Sequence, residues 1–322
     1  MRSYDLILFT AERTLDEWID VLSWAIKSSS MIMTFVHQNS PSFSMLTKIV
    51  GDGIKVSRQK TLRGEWITIR IERKRSYRNW VVTHKPDQFP KLPAGYEWIH
   101  AGKKFSKFDL GILGDDTGDN VSELNSKINE LTIHYWVWKN FQTDYVGFSH
   151  YRRYFVMPGD GEVMIGKNHE HILTMDEAIE MLKDCDVIVD RTEVLYASPK
   201  TSNQLDYQLV RKYIAQIHPE DLELFDSEFS RTAFNCRSMF ITHWKVFDAY
   251  CKWLFSFLIP AAREFQPRFI GESRAIAYYG EFMLTAFLRK YNLRVKNLRI
   301  LSGNSSDFSK PEVFSYLDRT VF

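Results

Sequence analysis

The chain has 322 residues, 44% apolar and 25% charged, an ordinary balance for a globular protein with room for a large core. A formal net charge of +2 excludes a polycation built to neutralise nucleic acid. Cys185, Cys236 and Cys251 form no CxxC pair and fit a reducing compartment, and no apolar run reaches the roughly 18 residues that mark a transmembrane helix.

The first apolar run, residues 4–10, reads as a buried strand, and 15–26 as an amphipathic helix with Trp18, Val21, Leu22 and Ala25 on one face. The N-terminus turns polar after a few apolar residues, unlike a secretory signal. Residues 31–36 form a second strand candidate, 39–44 a Ser/Pro loop, and 65–72 a half-buried strand by alternation. Between 55 and 78, nine Lys/Arg face two Asp/Glu. That excess reads first as a solvated face, and second as a patch for anionic headgroups or phosphate. A new unit starts near Asn79 with the short strand 80–83, followed by His84, Lys85 and Pro86. A second strand is expected at 96–99, with 101–110 as a connector.

Residues 114–155 organise the rest of the chain. A loop carrying Asp115, Asp116, Asp119 and Asn120 around Gly114 and Gly118 comes first. A helix follows, with Ile128, Leu131, Tyr135 and Trp138 on one face and Asn125 or Ser126 as N-cap. Then a strand at 144–149 runs into His150-Tyr151-Arg152-Arg153-Tyr154. Open α/β sheets place ligands at the carboxyl ends of their strands. Loop N–H groups and carboxylates, two guanidiniums and an imidazole equip this place for a polar, phosphorylated ligand.

Beyond it the α/β pattern continues. A helix is expected at 175–183 with Asp176 and Glu177 at its N-terminus, and a strand at 186–190. The polar stretch 196–230, with Asn203, Gln204, Asp206, Tyr207 and His218, reads as a surface helical pair or an acceptor-side insertion. A strand at 236–242 precedes an aromatic helix at 244–257, whose stripe of Trp244, Phe247, Tyr250, Leu254 and Phe257 reads as core rather than membrane anchor. A helix at 274–289 carries Glu281 inside an apolar run, 292–301 closes the fold, and 302–322 is a polar tail.

Walker, GxGxxG, HExxH and GxSxG motifs are absent. Asp115/Asp116 and His169/His171 are metal-capable pairs of a kind common by chance. No Asp-x-Asp follows the 145–148 strand; Ser149-His150-Tyr151-Arg152 stands there, and Arg can meet a diphosphate bidentately without a metal.

The run GDDTGDNVSELNSKINELTIHYWVWKN with DYVGFSHYRRYF, flanked by VVTHK, SMFITHWKVFDAYCKWLF and GEFMLTAFL, resembles the DUF4422 family of bacterial capsule and exopolysaccharide glycosyltransferases over about 79–290. The resemblance implies a GT-A-like α/β fold with a mixed central sheet at 79–301; residues 1–78, outside it, read as a small N-terminal α/β extension for partner, membrane or acceptor, and 302–322 as a tail. It implies an inverting hexosyltransferase, galactofuranosyltransferase-like, moving galactose or galactofuranose from a UDP-sugar to a glycan or undecaprenyl-linked acceptor. Such a protein would be cytoplasmic, at the inner face of the plasma membrane, with no nucleic-acid partner.

In that reading Thr83, His84 and Lys85 lie near the nucleotide, and Asp115, Asp116, Asp119 and Asn120 hold hydroxyls. His150, Arg152 and Arg153 face the diphosphate; Tyr151, Ser238 and Arg274 lie toward the acceptor; Glu281 is the general base. No cofactor is fixed, although Mn²⁺ or Mg²⁺ could enter through His150 and the 115–119 loop. Two positions depart from the family pattern: Ser238 stands where Asn is usual, and Phe282 follows Glu281 where Arg is usual. Two rival functions are a non-catalytic glycan-binding scaffold and a phosphosugar transferase of the same pathway.

Overall fold

The structure is a computed structural model that describes residues 76–86, 91–166, 168–190, 204–231, 237–267 and 274–302, with the strands at 7–9, 31–37, 54–61, 64–72, 193–194 and 233–234. The chain divides into two units, Met1–Ser76 and Tyr77–Phe322.

In the first unit β1 (Ile7–Phe9), β2 (Met31–His37), β3 (Ile54–Thr61) and β4 (Gly64–Glu72) form a sheet in the order β1-β2-β4-β3. β1 and β2 are parallel; the other pairs are antiparallel. β3 was not expected: only Ile54 and Val56 alternate as apolar residues before the pattern is lost among charges. The helix expected at 15–26, the loop at 39–44, the side chains of the basic stretch before residue 76 and the tail beyond 302 lie outside the described residues.

The second unit opens with β5 (Tyr77–Thr83), β6 (Tyr96–His100), α1 (Asn125–Ile128), α2 (Leu131–Asn140) and β7 (Tyr145–His150). β8 (Arg153–Pro158), β9 (Met164–Ile165), β10 (Glu170–Ile172), α3 (Met175–Met181) and β11 (Val187–Asp190) follow. Next come β12 (Glu193–Val194), α4 (Gln204–Ile217), α5 (Leu222–Glu228), β13 (Ala233–Phe234) and β14 (Phe240–His243). α6 (Trp244–Glu264), α7 (Ala275–Lys290), β15 (Val295–Leu298) and β16 (Ile300–Ser302) complete it.

Six strands lie in the order β6-β5-β7-β14-β11-β15, all parallel except β14. β8 leaves β7 by a tight reversal, His150 pairing with Arg153, and takes β10 and β16 as neighbours. Trp80, Val81 and Val82 of β5 are all buried, as a parallel strand covered on both faces requires. One face packs on α2, α6 and α7 through Trp80, Val137, Phe148, Phe240 and Phe247. The other packs on α3 through Phe155, Met175, Ala178 and Ile241. Gly147 permits the tight centre: a Cβ there would lie 2.5 Å from the Asn79 Nδ2 atom.

The helix expected across 125–140 is broken. Asn129 adopts φ 49°, and α2 restarts at Leu131. Its buried face is Leu131, Ile133, Trp136 and Val137, while Tyr135 and Trp138 are only partly covered, so the expected face is turned away from the core centre. The broken helix changes the phase, and a face counted through Ile128 carries the error forward. The stripe of α6 is core as expected: Phe247, Tyr250, Leu254 and Phe257 are buried, each contributing roughly 1.5–3 kcal/mol. α3 starts with a capping box of Thr174 and Glu177. Within the 196–230 stretch, the described residues from Gln204 on form a helical pair, α4 and α5, joined by Tyr207 stacking on Phe225 and by Arg211 on Asp226. Cys185 and Cys251 are free and buried.

Candidate active site

The five parallel strands end at one sheet edge, which collects Thr83 of β5, His100 of β6, His150 of β7 and Asp190 of β11. The chain entering antiparallel β14 brings Arg237 and Ser238 to the same edge. Sequence alone gives this clustering once the strand directions are known, because each strand is a short apolar run that stops at a polar residue.

After His150 the chain stays on the sheet for one more hydrogen bond, Tyr151 N–H to the Val82 carbonyl at 3.0 Å, then reverses into β8. The Tyr151 ring is thereby buried and forms a plate beneath basic groups. The Arg152 guanidinium sits 4.8 Å and the Lys85 ammonium 5.5 Å from its centroid, within cation–π range. The His84 ring meets it edge-on at 5.6 Å, and the His150 ring lies tilted against it at 4.3 Å. Burial first, then Arg153 and Arg152, hold His150 well below its usual range. It is therefore neutral at pH 7, and the Arg152 N–H donates to Nδ1 at 3.2 Å, which places its proton on Nε2. His84 is lowered by burial and by Arg274. The turn thus offers fixed positive charge plus a neutral N–H donor, the equipment an anion needs.

Opposite lies an acidic group. Burial pushes the Glu281 carboxyl of α7 well above the usual carboxylate range, Glu130 and Asp190 push the same way, and Arg153 and Arg237 oppose them. Glu130, just before α2, is raised by burial and lowered by Arg153 and Arg274. Asp190 is ion-paired with Arg237. Arg153 lies between the basic turn and the carboxyls and feels Arg237, Arg152, Glu130 and Glu281. A carboxyl with a raised pKa beside an anion-binding turn is a standard acid–base arrangement.

The structure therefore brings together His84, Lys85, His150, Tyr151, Arg152, Arg153, Arg274 and Glu281. Thr83 is buried there, its hydroxyl donating to the Lys85 carbonyl at 3.1 Å. Ser238 is buried nearby with φ 49°. The acidic loop behaves differently. Asp115 is fully buried and accepts from Gly102 N–H at 2.8 Å, Lys103 N–H at 3.0 Å and the Ser122 hydroxyl at 2.6 Å. Its oxygens thus hold the 102–122 connection together. Asp116 is exposed. Asp119 bonds Tyr135 and Asn140, and Asn120 closes the turn at Gly118 and Ser122. Asp119 and Asn120 are thereby engaged in contacts that tie the loop to α2 and close its own turn.

Glu130, Asp190, Arg237 and His100 were missed. Asp190 and His100 each end an expected strand and were legible as strand-end polar residues. Arg237 and Glu130 carried no local signal. Arg152 and Arg153 cannot ligate a divalent ion, because guanidiniums offer no lone pair; in that turn the imidazole of His150 is the group suited to one. Among the described residues the group suited to a metal is His218, Glu220 and Asp221, after α4, where Asp221 already accepts from Trp253 at 2.8 Å and pairs with Lys290. His171 pairs with Glu177 at 2.8 Å and His169 with Asp160 at 3.4 Å, so those two histidines are engaged separately.

No curated protein matches the chain. A solved structure, the apo form of the WbbM bifunctional glycosyltransferase, is similar at 26% identity and a TM-score of 0.58. The match covers 70% of this chain and 45% of that one, so the chain spans less than half of that protein. The fold is GT-A-like, as the six-strand order with one reversed strand and this match show together. A family model described as "Domain of unknown function (DUF4422)" matches residues 78–292, two thirds of the chain and every residue of the strand-end cluster, and the chain belongs to that family.

Proposed function

We propose that the chain is a glycosyltransferase that moves a hexose, galactose or galactofuranose, from a UDP-sugar to a surface polysaccharide or lipid-linked glycan with inversion. The observation that carries this reading is the pairing of the cationic turn at 150–153 with the Glu281 carboxyl at one sheet edge. The similarity to a glycosyltransferase structure supports the reaction class.

In this reading Lys85, Arg152 and Arg153 meet the diphosphate, and the His150 Nε2–H donates to one of its oxygens. Their fixed charge stabilises the leaving nucleotide as the glycosidic bond breaks. Glu281 takes the proton of the attacking acceptor hydroxyl. Arg274 and Ser238 border the acceptor side. Charge on the diphosphate is met by guanidinium rather than by a divalent metal.

The test is a thermal-shift screen against nucleotide sugars, followed by a product assay with the donor that responds. At a hundred times its Kd a donor stabilises the native state by about 2.7 kcal/mol, which raises Tm by several degrees in a domain of this size. Absence of any shift across UDP-, GDP- and dTDP-sugars would remove the donor assignment.

A second reading has one observation behind it. Glu281 lies within the field of Arg153, Arg237, Glu130 and Asp190, the setting of a structural charge cluster as well as of a base. If it holds the site together without taking a proton, the protein is a glycan-binding relative, and donor hydrolysis is absent while glycan binding persists.

A further inference from the structure

The connection between β6 and the 114–115 bridge is unusual in what it shows to water. Residues 101–113 read AGKKFSKFDLGIL, with three Lys against one Asp. Phe105 is 72% exposed, Phe108 49% and Leu113 37%. These three fall within nine residues of one another, whereas the remaining large exposed apolar side chains among the described residues are scattered from Phe141 to Val295. Single exposed apolar residues are normal; a run of them is not.

The segment is held firmly at its base. Leu113 and Asp115 clamp His100 by two backbone hydrogen bonds, at 2.8 and 3.2 Å. The Asp115 carboxylate holds the N–H groups of Gly102 and Lys103. Gly102 is left-handed at φ 67°, and a Cβ there would meet Asn125 at 2.5 Å. The segment is thereby fixed with Phe105 and Phe108 exposed, the Lys104 ammonium 5.9 Å from the Phe105 ring and Lys107 between the two aromatic residues in sequence. Asp109, exposed Asp116 and Glu123, the last 3.7 Å from Lys104, are acidic groups nearby, and the Lys103 ammonium donates to the Ile112 carbonyl at 3.2 Å, which leaves Lys104 and Lys107 as the cations offered to a surface.

We infer that residues 103–113 dock the protein on an anionic lipid bilayer. Protein interfaces deplete Lys and favour flat apolar cores, whereas a short run of exposed Phe and Leu with interspersed Lys matches the acyl–headgroup boundary, where rings insert and ammonium groups reach the phosphates. The loop springs from His100, at the same sheet edge as the basic turn, so docking presents that edge to the membrane surface. The inference does not rest on the transferase reading, because binding is measured with no sugar donor present.

The experiment is co-sedimentation of the full chain with vesicles of phosphatidylcholine alone or mixed equally with phosphatidylglycerol, at low and high salt. Binding is expected to the anionic vesicles, to weaken with salt and to be slight on the neutral ones. The double variant Phe105→Ser/Phe108→Ser should lower the anionic-vesicle partition by at least about tenfold. Lys104→Glu/Lys107→Glu should abolish the preference for anionic lipid. Unchanged melting temperatures show that both variants are folded. Failure of the full chain to sediment with anionic vesicles, equal binding to neutral ones, or wild-type binding by the Phe variant would each overturn the inference. The last outcome would move any lipid contact to the basic stretch before residue 76.

Discussion

The Arg152 guanidinium lies 4.8 Å from the centroid of the Tyr151 ring, and that ring is itself buried at the end of β7. A cation over a covered aromatic face is held in place without losing its charge, so Arg152 is preorganised for an anion. Arg152→Ala should weaken UDP-sugar binding by about 1.5–3 kcal/mol, the usual worth of a charged hydrogen bond, with little change in Tm. Arg153→Ala should lower both affinity and Tm, because Arg153 also opposes the charge of Glu130 and Glu281. Calorimetric titration with the donor checks this, and wild-type affinity in both folded variants removes the turn from the donor site.

Metal removal gives a second prediction. At the end of β7 the side chains are an imidazole and two guanidiniums, and the nearby Asp190 is paired with Arg237. Donor binding and turnover should therefore survive EDTA, with added Mn²⁺ or Mg²⁺ changing them less than about threefold, because charge-assisted contacts from Arg replace the ion. Full loss on chelation, restored by Mn²⁺, would instead place a divalent ion among the carboxyls.

Ser238 carries a third. It holds φ 49° in a buried position just before β14, a conformation that costs a non-glycine residue free energy. Ser238→Gly should change stability by less than about 1 kcal/mol, relief of strain being offset by a looser unfolded chain. Ser238→Val should cost about 1–3 kcal/mol, since a branched Cβ is worst there. Urea unfolding should place Val clearly below both Ser and Gly; Val equal to Ser would show that the position is not strained.

What was legible in the sequence follows from how local each signal is. The strand runs 80–83, 145–149 and 187–190 announce themselves because parallel strands covered on both faces are continuous apolar segments. The basic turn was legible because its four residues are adjacent. The convergence around Glu281 was not: Glu130, Asp190 and Arg237 stand far apart in the chain and meet Glu281 only in the folded unit. The Asp-rich loop carries a structural part that its sequence does not announce. Asp115 looks like a ligand-binding carboxylate, yet backbone N–H groups 12 and 13 residues away claim its oxygens. The phase of α2 was lost at Asn129, whose left-handed backbone no periodicity reveals.

Every residue of the cluster lies in the second unit. A chain of residues 77–322 that folds should therefore bind the donor within about threefold of the full chain, a difference below about 1 kcal/mol. Donor affinity lost in a folded shortened chain would assign the first unit a share of the site.

Glu281 permits the most discriminating prediction, because one substitution tests chemistry and electrostatics together. Its folded pKa is raised by burial, by Glu130 and by Asp190, with Arg153 and Arg237 only partly opposing. A base must be deprotonated to act, so kcat should fall as pH drops through this raised value, giving an acid limb above the ordinary carboxylate range. Glu281→Gln should lower kcat by about 10²–10⁴-fold with donor affinity nearly intact, and should remove that limb from whatever rate remains. Stability moves in the opposite sense. Between the unfolded and folded pKa values the native state holds the extra proton, so wild-type stability falls as pH rises through that window. Gln never ionises, so the variant should lose that decline and should be at least as stable as wild type above the folded pKa. A pH–rate profile and a pH series of melting temperatures on the two proteins suffice. Near-normal turnover in a variant that also gains stability at high pH would show a buried carboxyl that shapes the cluster without taking the proton, and the search for the base would pass to Glu130.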